Sequence, residues 1–61
     1  MMPKIYKYAL KVQALYAKIA KEEFMLSLVD KSKNKELHAE IMDKIEDLSM
    51  QITKLKQLIN K

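Results

Sequence analysis

The chain has 61 residues, no cysteine, a single histidine, a net charge of +4 and an apolar content of 49%. That length allows one small domain whose core is marginal for a monomer, and the missing cysteines leave no disulfide or thiolate metal site to staple it. With no glycine and one proline, tight β-hairpin turns lack their usual residues, and an all-α fold is expected.

Charged residues make up 33% of the chain, but Ile, Leu and Val recur periodically, which excludes a disordered tail. Lys4, Lys7, Lys11 and Lys18 interrupt every apolar run before it reaches the core of a secretory leader. No stretch approaches the roughly 18 apolar residues needed to span a bilayer. A cytoplasmic protein is the expectation. All twelve basic residues are lysine, a bias that fits coding in an AT-rich genome such as a phage, plasmid or low-GC bacterium. Without arginine, no side chain offers the planar bidentate fork used to read guanine or to clamp phosphate.

Pro3 suits the first turn of a helix, where its missing N–H is not needed, and nothing from there to Val29 breaks one. Ile5, Tyr8, Val12, Leu15, Ile19, Leu26 and Val29 follow a 3/4 spacing, with Glu22 standing where another apolar residue belongs. The same segment carries a second stripe of Tyr6, Leu10, Ala14, Ala17, Phe24 and Leu28, and its lysines, Lys21 among them, occupy the remainder. Residues 30–36 form the only sustained polar stretch. Within it Asn34 or Ser32 can cap a second helix, and Glu36 and Glu40 complement that helix's positive end.

The second half holds the clearest pattern. Ile41, Ile45, Leu48, Ile52, Leu55 and Ile59 are separated by 4, 3, 4, 3 and 4 residues, the alternation that keeps one narrow seam against a partner helix. Ile45, Ile52 and Ile59 fall at a, Ile41, Leu48 and Leu55 at d, and Leu37, Met42 and Leu58 flank the seam. In the first half the a positions are Ile5, Val12, Ile19 and Leu26, out of phase with the second half by five residues, more than a coiled coil absorbs. Two helices over about 3–29 and 34–60, joined by a loop near 30–34, are therefore expected rather than one rod. Each is roughly 40 Å long, which suits an antiparallel hairpin within a single domain spanning 1–61.

The two seams can cover each other, but Tyr6, Leu10, Phe24 and Leu28 are then left in water. At about 25 cal/mol per Å² of apolar surface, that is a large loss for so small a scaffold. Self-association is expected, with a homodimer forming a four-helix bundle.

Catalytic and metal chemistry find little support. His38 lies at an a position near the loop with only Glu36, Glu40 and Met42 around it, which supplies neither a nucleophile nor companion ligands. A register-setting or half-exposed histidine is the simpler reading. Glu36, Glu40, Asp43 and Asp47 form an acidic stripe on c and f positions, away from the seam, so a solvated face or a docking surface for a basic partner is expected rather than an inward carboxylate site. No cofactor motif occurs.

Charge is segregated: residues 1–21 carry +5, residues 22–53 carry −4 and residues 54–61 carry +3. An antiparallel hairpin brings the two basic blocks together, so Lys4, Lys7, Lys11, Lys54, Lys56 and Lys61 would form one cationic end able to meet nucleic-acid phosphates without sequence preference. Tyr8 and Tyr16 belong on or beside the seam, leaving Tyr6 as the one tyrosine placed to stack on a base. In architecture alone, two equal helices in a chain of this size with lysines along the first resemble the Rop-type dimeric helical hairpins, which engage RNA through helix 1. That resemblance implies an RNA-binding regulator; no residue motif carries it, and no site residue is transferred. A non-catalytic oligomeric helical module that binds another protein, in the manner of small phage or plasmid regulators, is the leading expectation. The lysine-rich nucleic-acid binder and a cationic amphipathic protein lying on a membrane surface are the alternatives.

Overall fold

The computed structural model describes residues 4–60. Two α-helices, α1 (Lys4–Leu28) and α2 (Lys35–Ile59), pack against each other as a hairpin. The first-turn role of Pro3 and the place of Lys61 at the basic end lie outside the described residues. Residues of α1 between Lys11 and Lys18 share a groove with Gln51, Lys54 and Leu55, and those between Lys18 and Glu22 share the next with Lys44, Asp47 and Leu48, so the helices run antiparallel.

The turn ends α1 one residue earlier, and starts α2 one residue later, than the periodicity suggests. Its organiser is Asp30. One carboxylate oxygen, Oδ1, accepts the Ser32 backbone N–H at 2.9 Å and the Ser32 hydroxyl at 2.6 Å, while the Asp30 carbonyl accepts the Lys33 and Asn34 N–H groups at 3.1 and 2.8 Å. Such side-chain-to-backbone bonding two residues on is a local turn former that competes with helix. The two candidate caps act differently from the sequence expectation. Ser32 is committed to Asp30, and Asn34 occupies the N-cap position of α2 without a side-chain cap bond, its carbonyl accepting the His38 N–H at 2.9 Å. No described non-glycine residue has positive φ, so the reversal needs none of the left-handed residues that glycine usually supplies.

The two apolar seams meet between the helices. Leu15 from α1 and Ile41 and Ile52 from α2 are buried, Ile41 to 2% exposure. Around them Tyr8, Val12, Ile19, Glu22, Leu26 and Val29 on one side, and His38, Ile45, Leu48, Leu55 and Ile59 on the other, are half-buried. Ile5, assigned to the same seam by spacing, is 60% exposed, because it lies in the first turn of α1, at the end where α2 is running out. The molecule measures 50 × 17 × 11 Å, and its smallest dimension equals one helix diameter. Among the described residues nothing forms a third layer, so they leave both broad faces and both outer edges of the hairpin open. No helix among the described residues is long and apolar enough to cross a membrane.

Candidate interaction surfaces

At 100° per residue, Tyr6, Leu10, Ala17, Phe24 and Leu28 fall within about 20° of one line along α1, roughly opposite the seam. The structure leaves them in solvent: Leu10 is 44% exposed, Tyr6 50%, Phe24 65% and Leu28 71%. Ala9, Gln13, Tyr16, Ala20 and Ser27 widen this surface on one side, all of them exposed. Together they give α1 a sector of about 120° that contains no charged residue. Ser27 turns its hydroxyl inward, donating to the Phe24 carbonyl at 2.6 Å, so that edge of the sector offers little competing polarity.

The lysines of α1 lie on the other side of the stripe. Lys11 and Lys18 join Lys54 and Gln51 around a groove floored by Ala14, Leu15 and Leu55. Lys18 and Lys21 join Lys44 and Asp47 around Glu22 and Leu48. Lys4 and Lys7 are exposed in the opening turns of α1. Lys54 and Lys56 are two positions apart and so leave α2 on nearly opposite sides. Lys54 faces Lys11, whereas the Lys56 ammonium lies 5.4 Å from the centre of the Tyr16 ring, within cation–π range. The structure therefore gathers Lys11, Lys18 and Lys54 on one broad face and separates Lys56 from them, with its ammonium over the still exposed Tyr16 ring.

The acidic stripe of Glu36, Glu40, Asp43 and Asp47 is exposed along its length, with Asp47 Oδ2 accepting the Gln51 side-chain amide at 2.9 Å. His38 is half-buried at the loop end. Among the described residues no group of three or more His, Cys, Asp or Glu side chains is placed to hold a metal ion. Glu22 is the polar intruder in the seam: its Oε2 is buried without a hydrogen-bond partner, although Lys18, Lys21 and Lys44 border the same groove. In the loop, the Ser32 hydroxyl and then the Ser32 N–H hold the Asp30 carboxyl below its ordinary value of 3.8.

The Lys56–Tyr16 contact and the breadth of the uncharged sector were not part of the sequence expectation. Angular positions on a helical wheel carry the signal for both: they set Lys56 apart from Lys54 and gather Ala9, Gln13, Ala20 and Ser27 beside the second stripe.

No family model matches this chain, and comparison with curated proteins and with solved structures likewise gives no match.

Proposed function

We propose that the protein is a small non-catalytic helical interaction module whose hairpins pair into a four-helix dimer, and that this dimer is the form presented to a protein partner, as in a phage- or plasmid-type cytoplasmic regulator. The observation that carries this reading is the outer face of α1, where Tyr6, Leu10, Phe24 and Leu28 stand in solvent along one line. Scattered exposed apolar residues need no explanation, but a contiguous uncharged stripe of them does. The core points the same way. Among the described residues Leu15, Ile41 and Ile52 are the buried ones, a small store of apolar burial, and association is one of the few remaining means of adding to it. Light scattering at micromolar concentration should return twice the chain mass; a monomer would remove the reading.

A second reading rests on Lys11, Lys18 and Lys54 around one groove, continued by the exposed Lys4 and Lys7. This cationic face would hold the phosphates of RNA or duplex DNA through charge alone, without base recognition and with steep salt dependence. Changing Lys4, Lys7 and Lys11 together to Gln should weaken binding equally for every sequence. No binding by the unaltered protein at low salt would eliminate this use of the face.

A further inference from the structure

We propose that the outer face of α1 is self-complementary and packs antiparallel against the same face of a second copy, with the two-fold axis passing at Ala17. This rests on the self-association reading above and goes further by fixing the orientation and register.

The register comes from the spacing. Leu10 and Phe24 each lie seven residues from Ala17, and Tyr6 and Leu28 each lie eleven away. Reversing the helix about Ala17 therefore sets Leu10 on the second copy's Phe24, Tyr6 on its Leu28, and Ala17 on itself. Ala14 and Ala20, three residues to either side, add methyl-sized side chains to the centre, and Gln13 and Lys21, four residues to either side, flank it, each set against the other's counterpart on the second copy. Two helices approach most closely where they cross, at about 8 Å between axes when the contact residues are small, and separate on either side of that point. Alanines at the crossing and large side chains toward both ends match that profile, and those large side chains are the ones left in solvent.

Charge selects the orientation. A parallel pairing would lay the +5 block of residues 1–21 beside its own copy, at a separation close to the roughly 8 Å screening length of physiological salt. The antiparallel pairing instead brings that block toward residues 22–36 of the second copy, where Glu22, Glu23, Asp30 and Glu36 outweigh Lys31, Lys33 and Lys35 to leave −1 in place of a second +5. The surface area agrees. The hairpin exposes 5214 Å², whereas a globular chain of 7.2 kDa exposes about 4,100 Å². That surplus of about 1,100 Å² is spread over the whole elongated hairpin, the open outer face of α1 included, and is of the order of the roughly 800 Å² that each partner commonly contributes to a stable interface. Because this face lies opposite the seam, the dimer is a layer with the two α1 helices inside and an α2 on each outer flank.

The chain has no cysteine, so single substitutions report the arrangement directly through disulfide formation, which requires Cα atoms within about 7 Å. Ala17→Cys should cross-link to itself on mild oxidation. Leu10→Cys and Phe24→Cys should each cross-link poorly alone, but an equimolar mixture should give at least tenfold more disulfide dimer, carrying one chain of each kind by mass spectrometry. Helicity by circular dichroism and sedimentation equilibrium on the reduced proteins accompany each measurement. A dimeric mass with Leu10→Cys linked to itself, or with Ala17→Cys inert, overturns the antiparallel register and leaves self-association standing. A folded monomer overturns both.

Discussion

α1 and α2 have the same length, 25 residues, and cover each other along one seam, yet they use their remaining surface differently. α2 concentrates its large apolar side chains on the side that meets α1, with Leu37, Met42, Met50 and Leu58 left as partly exposed outliers, and gives another side to carboxylates. α1 divides its apolar residues between two opposite sides, and only one of these meets α2. A helix with one apolar side is satisfied by one neighbour; a helix with two is a central element waiting for a second. The hairpin is therefore asymmetric, and under the self-association proposed above α1 would be the helix placed inside the dimer.

The strongest way to break this comparison is to truncate one side chain from each region. Ile41→Ala removes the most buried residue of the seam and should cost about 3 kcal/mol, the usual range for such a cavity, a large part of the roughly 3–9 kcal/mol expected for a chain this long. Leu28→Ala, on the exposed outer face, should shift the unfolding of the hairpin itself by no more than about 0.5 kcal/mol. Urea unfolding of both variants, at a concentration low enough to hold the hairpins apart, checks the difference. Equal costs would mean that the outer side of α1 is already packed within the monomer.

A smaller effect sharpens the comparison from within the seam. Glu22 holds a place that the 3/4 spacing reserves for an apolar residue, and its Oε2 is buried without a partner. Glu22→Leu should remove that penalty and add apolar burial, raising stability by about 1–2 kcal/mol, again measured by urea midpoint. A loss instead would show that the surrounding lysines already repay the carboxylate in full.

The smallest effect concerns the turn that joins the two regions. Asp30 is held below its ordinary value by Ser32, so the unfolded chain takes up a proton there at higher pH than the folded one does. Its contribution to stability is present above the ordinary value of 3.8 and fades as pH falls through the lower folded value. Ser32→Ala should return the carboxyl toward 3.8 and flatten that part of the pH dependence. Side-chain carboxyl chemical shifts followed through an acid titration of both proteins would reveal it. Coincident titrations would mean that Ser32 does not stabilise the charged form.

The helical hairpin was legible in the residues because each seam keeps a single period, interrupted at Glu22 in α1, and the two periods are out of phase by five. Local bonding decided the ends of the helices. Asp30, Ser32 and Asn34 are all competent turn or cap residues, and only the folded backbone shows Ser32 serving Asp30 and Asn34 left without a side-chain bond. The cationic end was legible as a charge count but not as a surface, because Lys54 and Lys56 adjoin in the text and diverge on the helix.

Composition and periodicity alone determined that this chain forms helices, that there are two of them, and that α1 has more apolar surface than α2 can cover, since these follow from spacing along a regular helix. Tertiary structure alone decided that Ile5 falls outside the covered seam, that the Glu22 carboxylate finds no partner and which lysines share a face. Those outcomes depend on how one helix is rotated and staggered against the other. That choice is made by packing across the whole seam and cannot be read from any single segment.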